Sequence, residues 1–302
     1  MAILIILGIL FFLSIWIIPI RLTLFHPLKT VSYAVRDIYA YFKYKKWHVF
    51  KMGKFNCYDA TLGCVFGSGK TLSALWQVRE DYRKYNDKLI FDFSRMKWVT
   101  QKVHIITNLT LKSLPYEKLK NLTQIISSCE RYMEIDKQND TQTCIVVLID
   151  EMQNQLHCRS FKDNLSPVML KTLTECRHYN MSIYYDCPRF SQVDALLRQC
   201  TSLNIKNHKV WRWQCQQVFD ACDIENSTNV NNVKPLHRSG FFVEDDLFAE
   251  YDTREIIDNL VKSTRDGDFL SDEDILALQM NTPTDLESVT HLSKHGKALL
   301  PK

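Results

Sequence analysis

The sequence predicts an α/β fold in which helices flank a mostly parallel β-sheet, preceded by an N-terminal transmembrane helix. Three observations predict it. A glycine-rich stretch lies between a predicted strand and a predicted helix, an apolar run ends in two carboxylates, and residues 2–20 carry no charge. Strands and helices also alternate along most of the chain, which is typical of βαβ units and parallel pairing.

The glycine-rich stretch reads Gly63-Cys-Val-Phe-Gly-Ser-Gly-Lys-Thr71. It fits the pattern G-x-x-x-x-G-K-[ST] except that the first glycine stands one place early and Cys64 occupies its position. In this pattern backbone N–H groups surround a phosphate, the lysine reaches the terminal phosphates and the hydroxyl holds Mg²⁺. We therefore predict that ATP is bound by Gly67, Ser68, Gly69, Lys70 and Thr71.

The context of this loop supports the prediction. Residues 58–65 are predicted to form a strand, and apolar residues after Thr71 recur at helical spacing. Further along, the apolar residues 144–149 run directly into Asp150 and Glu151. Such a run suits a parallel strand buried on both faces, and open α/β sheets bind ligands at the carboxyl ends of their strands. Together the two motifs predict a P-loop nucleoside triphosphatase (NTPase) domain.

The same motifs predict a division of chemical roles. Lys70 is expected to neutralise charge on the β- and γ-phosphates, while Thr71 and Asp150 hold Mg²⁺. Glu151 is expected to orient or deprotonate the attacking water, the alternative being an exposed acid on a loop. Asp186 ends a later predicted strand, where related ATPases place a polar sensor of the γ-phosphate. We leave it out of the predicted site because a carboxylate beside phosphate is unfavourable.

The N-terminal region predicts a membrane anchor. A helix over residues 2–20 would be about 28 Å long, close to the thickness of a hydrocarbon core. A cleaved signal peptide is the alternative, but no basic segment precedes the run and no small-residue cleavage site comes after it. Residues 21–54 contain eight Lys or Arg and one acid, Asp37. The positive-inside rule therefore places the chain beyond the anchor in the cytoplasm.

The basic segment has a second feature. Apolar and aromatic residues recur at helical spacing within residues 28–50, among Lys and Arg. We expect this segment to contact anionic lipid headgroups, with nucleic-acid contact as the alternative.

The remaining elements are predicted from local patterns. Strands are expected at residues 88–93, 103–108, 181–186 and 210–219, and helices at 116–135, 167–177 and 191–199. On a single strand 210–219, Trp211 and Trp213 would share one face, which favours a core position over a base-stacking platform. From residue 244 to the end the chain has fourteen acids and six bases. The predicted domains are 1–20 (anchor), 21–54 (basic segment), 55–225 (ATPase) and 226–302 (acidic, partly disordered).

Several short motifs, in this order, resemble the zonula occludens toxin (Zot-like) family, which includes the gene I morphogenesis proteins of filamentous bacteriophages. The resemblance covers about residues 55–253. It is carried by Gly67-Ser-Gly-Lys-Thr71, Thr107-Asn108 with Leu109 and Leu111, Ile149-Asp-Glu-Met-Gln153 with Arg159, Arg177-His178, Gln192-Val-Asp194 with Arg198, and Tyr251-Asp-Thr253. The chain departs from the family in having its predicted anchor first, and Phe66 where the family has proline.

This resemblance implies a single-pass ATPase of the host inner membrane that drives assembly and export of a filamentous phage. Its implied partners are the membrane, phage coat and assembly proteins, single-stranded DNA and further copies of itself. Ring-forming ATPases often borrow an arginine from a neighbouring subunit. Arg177 is the first choice here, with Arg159 and Arg198 after it, although Arg177 could instead cap a helix.

Two other functions are compatible with the motifs. One is a DNA-translocating or packaging ATPase of another virus or of a conjugation system. The other is a membrane scaffold that binds nucleotide without hydrolysing it.

Overall fold

The computed structural model describes residues 17–61, 67–155, 175–227, 229 and 232–251. Within these residues, nine strands form one sheet. The strands are β1 (Phe55–Ala60), β2 (Lys88–Asp92), β3 (Lys97–Thr107), β4 (Tyr116–Lys118), β5 (Thr141–Ile149), β6 (Met181–Asp186), β7 (Leu203–Val210), β8 (Trp213–Asp220) and β9 (His237–Phe242). The helices are α1 (Ile18–Phe25), α2 (Pro27–Lys43), α3 (Lys70–Tyr85), α4 (Leu122–Gln138), α5 (Met152–Gln155), α6 (Ala195–Cys200), α7 (Ala221–Asn226) and α8 (Asp245–Ala249).

The strand order is β2-β3-β5-β6-β1-β7-β8-β9, with β4 also paired to β3. The central strands β3, β5, β6, β1 and β7 are parallel, whereas β2 and the β8–β9 pair are antiparallel. The predicted α/β fold with a mostly parallel sheet is confirmed. Because the central strands run the same way, the carboxyl ends of β1, β5 and β6 meet at one edge of the sheet.

The apolar run of β5 is buried on both faces, as its composition predicts. Ile145, Val147 and Ile149 pack with residues of α4 in one cluster. Cys144, Val146 and Leu148 pack with residues of α3 in the other. An alternating strand sends successive side chains to opposite faces, so a strand covered by helices on both sides must be apolar throughout.

Several predicted boundaries were wrong. The first strand ends at Ala60, and residues 62–66 lie outside the described residues. The helix predicted for 116–135 begins only at Leu122, after β4, because the Asn121 side chain accepts a hydrogen bond from the Gln124 N–H and caps the start. The helix predicted for 191–199 starts at Ala195 and is capped by Asp194.

The strand predicted for residues 210–219 was also wrong, because the chain turns at Trp211. That residue has φ 55°, a left-handed conformation, and it separates β7 from β8 in an antiparallel hairpin. Strand β7 escaped prediction because two of its residues, Asn204 and Asn207, are polar yet fully buried. Asn207 Nδ2 donates to the backbone oxygens of Asp59 and Ile205, so its burial leaves that amide satisfied.

The sheet also extends beyond residue 225, the end predicted for the ATPase domain. Strand β9 pairs with β8, and Val243 and Leu247 are buried against the α3 side of the sheet. The Glu250 carboxylate accepts hydrogen bonds from the N–H groups of Ser113 and Leu114. Residues 237–251 thus pack on the body of the domain, whereas 252–302 lie outside the described residues.

The N-terminal helices α1 and α2 have no buried residue. Tyr44, just after α2, packs its ring 4.5 Å from Phe91 and 5.0 Å from Phe93. Within the described part of the chain, none of the helices is both long and apolar enough to cross a membrane. Most of the span predicted for residues 2–20 lies outside that part, since the description starts at residue 17.

Candidate nucleotide-binding site

The described part of the glycine-rich loop leads into α3, and its two glycines both adopt left-handed backbone. Gly67 has φ 72° and Gly69 has φ 78°. A Cβ at Gly69 would also lie 2.3 Å from Oε1 of Gln214, a fully buried residue of β8. The backbone conformation and the close approach both require glycine at position 69.

The start of α3 is suited to an anion. Its capping residue, Gly69, offers no side chain to the first-turn N–H groups. Ser68 beside it is fully buried, and its Oγ has no hydrogen-bond partner in the described residues. N–H groups at the positive end of a helix dipole bind phosphate readily. The loop therefore fits the phosphates of a nucleotide.

Thr71, on the first turn of α3, meets two carboxylates. Its hydroxyl lies 2.9 Å from Asp150 Oδ1 and 2.5 Å from Asp186 Oδ2. Since a hydroxyl carries one hydrogen, it satisfies only one of these oxygens. Burial, reinforced by the adjacent Asp186 carboxylate, raises the pKa of Asp150 well above its ordinary value. A hydroxyl and two crowded carboxylates are oxygen ligands that fit Mg²⁺, which usually takes one or two protein carboxylates plus phosphate oxygens.

Asp186 is therefore part of the site, although the sequence prediction left it out. It closes β6, the strand between β5 and β1, and its Oδ1 accepts a hydrogen bond of 2.7 Å from the Glu151 N–H. The sequence signal was present: an acid at the end of a predicted strand, like Asp150.

Asp150 is held in place by Asn108, which comes directly after the last residue of β3. Asn108 Nδ2 donates to the Asp150 backbone oxygen, and Asn108 Oδ1 accepts from the Asp150 N–H, both at 2.9 Å. Asn108 is buried, so neither bond competes with water. The sequence did not predict this role for Asn108. Its two hydrogen bonds join the ends of two neighbouring strands that are distant in the chain, so no local sequence pattern marks them.

Glu151 has a left-handed backbone with φ 52°, an unfavourable conformation for a residue with a side chain. Its carboxylate is exposed and accepts a 2.5 Å hydrogen bond from Asn154 Nδ2. A strained backbone conformation persists only where neighbouring groups stabilise it. Here the hydrogen bond from the Glu151 N–H to Asp186 stabilises the conformation of Glu151. The backbone turn directs the residue after Asp150 away from the core.

A buried polar cluster lies under the loop, around Asp59 near the end of β1. Asp59 Oδ2 accepts a 3.4 Å bond from Asn204, while Oδ1 has no partner in the described residues. Burial raises the pKa of Asp59 to about 6, although Lys206 and Lys70 act in the opposite direction. Gln214 closes the cluster by donating to the Ser68 backbone oxygen at 3.0 Å.

This cluster predicts a pH-dependent stability. The pKa of Asp59 is raised from 3.8 to about 6, so its contribution to folding is complete below pH 3.8 and is lost as the pH rises through about 6. We expect Asp59→Asn to become more stable relative to the wild type by about 2 kcal/mol between pH 4 and pH 7. Urea unfolding across this range measures the difference. A difference that does not change with pH would contradict the prediction.

The two predicted arginines that the structure describes, Arg177 and Arg198, do not join this site within one subunit. Arg177 is exposed in the turn before β6, at the amino end of a strand whose carboxyl end carries Asp186. Arg198 donates to the Val193 backbone oxygen and pairs with Glu225. Arg159 and most of the helix predicted for 167–177 lie outside the described residues. A role for Arg177 at the phosphates would need a neighbouring subunit.

The loop, the Thr71–Asp150 contact and the parallel sheet coincide with a family match. The family model described as zonular occludens toxin (Zot) matches residues 63–212, which contain Gly69 to Thr71, Asp150 and Asp186. The chain is a Zot-like protein. The resemblance expected from the sequence is thereby confirmed. No curated protein sequence matches the chain.

Two solved structures illustrate what the chain is similar to, and the first carries the name of the family. The N-terminal domain of zonular occludens toxin from Neisseria meningitidis has 15% identity and a TM-score of 0.43, covering 67% of this Zot-like chain and 100% of its own. The genome packaging NTPase B204 from Sulfolobus turreted icosahedral virus 2, in complex with ATP-gammaS, has 12% identity and a TM-score of 0.36, covering 63% and 93%.

Proposed function

We propose that this Zot-like protein is a membrane-anchored P-loop ATPase that couples ATP hydrolysis to the assembly and export of filamentous phage particles. One observation carries the enzymatic part. The Thr71 hydroxyl lies 2.9 Å and 2.5 Å from the carboxylates of Asp150 and Asp186, beside an uncapped helix start with a glycine-rich approach. A scaffold that binds no nucleotide has no need for two buried carboxylates at this point.

The residues around this contact have separate roles in phosphate binding, metal binding and activation of water. The N–H groups at the start of α3 bind phosphate, and the Lys70 ammonium neutralises its charge. Thr71 and Asp150 would hold Mg²⁺, with Asp186 beside them, and the ion would supply charge stabilisation at the phosphate oxygens. Glu151 positions the attacking water or takes its proton. In this scheme Asn108 keeps Asp150 at the reacting edge through its two backbone bonds.

The membrane part of the proposal rests on the N-terminal region. Helix α2 exposes Leu28, Val31, Val35 and Phe42 and continues into the basic residues before β1. An exposed apolar stripe flanked by basic residues suits a lipid surface. Tyr44, which follows α2, packs on Phe91 of β2 and on Trp98 at the start of β3. These contacts lie at the sheet edge opposite the carboxyl ends of the parallel strands. The nucleotide would then bind on the side away from the inner membrane, in the cytoplasm.

The partners in this proposal are phage coat and assembly proteins and further copies of the chain. Arg177 is exposed and lies away from the phosphate-binding loop of its own subunit. If copies of the chain associate, Arg177 could contact the nucleotide of a neighbouring subunit.

Phosphate release from ATP by the full chain in detergent, with Mg²⁺ present, tests the enzymatic proposal. We expect hydrolysis by the wild type, none by Lys70→Ala, and ATP binding without turnover by Glu151→Gln. Lys84→Ala is the matched control, because Lys84 is an exposed lysine in the last turn of the same helix. Its activity should equal that of the wild type.

Two outcomes would overturn the proposal. One is ATP binding by the wild type without phosphate release, even after return to membranes, which would favour the scaffold function. The other is equal hydrolysis by the wild type and Lys70→Ala, which would place the activity elsewhere.

A further inference from the structure

Gln214 lies on β8, outside the parallel strands that carry the nucleotide site, yet its side chain contacts the glycine-rich loop. The residue is 1% exposed, and its Nε2 donates to the Ser68 backbone oxygen at 3.0 Å. Its Oε1 has no hydrogen-bond partner in the described residues and would lie 2.3 Å from a Cβ placed at Gly69. One amide group thus contacts two consecutive residues of the loop.

The bond to Ser68 fixes the direction of a whole peptide unit. None of the peptide bonds in the described residues is cis, and the C=O and N–H groups of a planar trans peptide point in opposite directions. Because the Ser68 carbonyl points towards Gln214, the Gly69 N–H of the same unit points away from β8. Rotation of this unit changes φ of Gly69, and glycine tolerates a wide range of φ. The bond from Gln214 therefore restrains a rotation that the sequence of the loop would otherwise allow.

A second buried amide holds the Gln214 side chain in place. Nε2 of Gln214 also lies 3.5 Å from Oδ1 of Asn207, on β7. Asn207 Nδ2 donates to the backbone oxygens of Asp59 and Ile205, which fixes the orientation of the Asn207 amide. Turning the Gln214 amide away from the loop would leave buried polar groups without partners, which is costly.

The backbone of Gln214 is held by both neighbouring strands. It pairs with Lys209 of β7 and with Phe241 of β9. A Cβ at Gly240 would lie 2.7 Å from the Gln214 backbone oxygen, so the close approach of β9 requires glycine there. The Phe241 ring stacks on Trp76 of α3, with ring centres 4.2 Å apart. The antiparallel strands β8 and β9 are thus fixed to the helix that follows the loop.

We propose that Gln214 is a positioning residue for nucleotide binding, holding the Ser68–Gly69 peptide so that the Gly69 N–H faces the phosphates. Successive backbone N–H groups form an anion-binding concavity only when they converge on one point. A loop that is already held in this arrangement loses less conformational freedom when the ligand binds. This role rests on the nucleotide binding proposed above and is independent of hydrolysis.

Affinity for the ATP analogue with a β,γ-methylene bridge, measured by calorimetry on the full chain in detergent, tests the role. We expect Gln214→Leu to weaken binding on the order of ten-fold, because a hydrogen bond and the preorganisation of the loop are lost. Gln216→Leu is the matched control, since Gln216 is a buried glutamine of the same strand that accepts a hydrogen bond from Ser239. Its affinity should equal that of the wild type.

Inorganic tripolyphosphate separates an effect on the loop from an effect elsewhere. It presents phosphates without a base, so Gln214→Leu should weaken its competition by the same factor as binding of the ATP analogue. In hydrolysis assays KM for ATP should rise while kcat stays close to that of the wild type, because the N–H groups contact phosphate before and during the reaction. Unchanged affinity for tripolyphosphate, or a loss confined to kcat, would overturn the proposal.

Gln214→Glu is a second variant that keeps the length of the side chain. An ionised carboxylate has no hydrogen to donate to the Ser68 oxygen, so binding should weaken at least as much as in Gln214→Leu. Urea unfolding shows whether each variant is folded. Wild-type affinity in a folded variant would overturn the proposal. Loss of folding in both variants, with Gln216→Leu folded, would make Gln214 a structural residue and would also overturn it.

The failure of this proposal differs from the failure of the proposed ATPase function. If the analogue binds as expected in all variants but the wild type releases no phosphate from ATP, the positioning role stands and the ATPase function fails. If the wild type hydrolyses ATP and Gln214→Leu does so with the same KM, the ATPase function stands and the positioning role fails.

Discussion

Asp150→Asn is expected to lower kcat for ATP hydrolysis on the order of a thousand-fold. The Asp150 carboxylate lies 2.9 Å from the Thr71 hydroxyl, and in the proposed mechanism these two groups hold the metal ion. A correctly held ion stabilises the transition state by several kcal/mol, and each ~1.36 kcal/mol changes the rate ten-fold. Phosphate release at saturating ATP over a range of Mg²⁺ concentrations measures the loss.

The same substitution should make the fold more stable in a chelating buffer. Asp150 is buried beside the Asp186 carboxylate, and an amide removes the charge from one member of this crowded pair. Urea unfolding therefore separates a loss of chemistry from a loss of structure. A variant that is both inactive and less stable would contradict this explanation.

Asp140→Asn is the matched control for this pair of measurements. Asp140 lies just before the amino end of β5, whereas Asp150 lies just after its carboxyl end. It is exposed and pairs with Lys97 on the surface. We expect unchanged hydrolysis, because only the carboxyl end of the strand reaches the nucleotide. Comparable losses in both variants would contradict a metal site confined to that end.

Gly69→Ala is expected to destabilise the protein by about 2–5 kcal/mol and to weaken ATP binding. The left-handed backbone at φ 78° costs about 1–2 kcal/mol with any Cβ. The Cβ would also lie 2.3 Å from Gln214 Oε1, and crowding of this kind costs about 1–3 kcal/mol. Gln214 cannot swing aside without breaking its bond to the Ser68 backbone oxygen. Urea unfolding and ATP titration measure the two effects.

Gly67→Ala separates backbone strain from crowding. Gly67 has φ 72°, but a Cβ there meets nothing within 4 Å. We expect Gly67→Ala to be destabilised by the backbone strain alone, by about 1–2 kcal/mol. The double variant Gly69→Ala/Gln214→Ala should be less destabilised than the sum of the two single variants. Strict additivity would contradict the contact between Gly69 and Gln214.

The sequence predicted those parts of the site that depend on neighbours in the chain. Gly69, Lys70 and Thr71 form a contiguous pattern, and Asp150 is marked by the apolar run before it. Helix α3 was predicted because its apolar residues recur at helical spacing, and strand β5 because a strand buried on both faces is apolar throughout. These patterns involve residues that are close in the chain, so they can be recognised without knowledge of the fold.

Other parts depend on residues that are distant in the chain. Asn108 bonds to Asp150, 42 residues away, and Gln214 bonds to Ser68, 146 residues away. The tryptophans were misassigned for a related reason. A run with alternating polarity resembled one strand, but the left-handed turn at Trp211 divides it into a hairpin and leaves both Trp211 and Trp213 exposed.

By itself, the sequence determined the fold class, the glycine-rich loop and the strand that delivers Asp150, because each is specified by consecutive or periodic residues. Only the tertiary structure decided that Asp186 completes the carboxylate pair, that Asn108 holds Asp150, and that β8 and β9 extend the sheet beyond β7. The physical reason is the strand order. Placing β6 between β5 and β1 brings distant strand ends to one edge, and no local pattern encodes that adjacency.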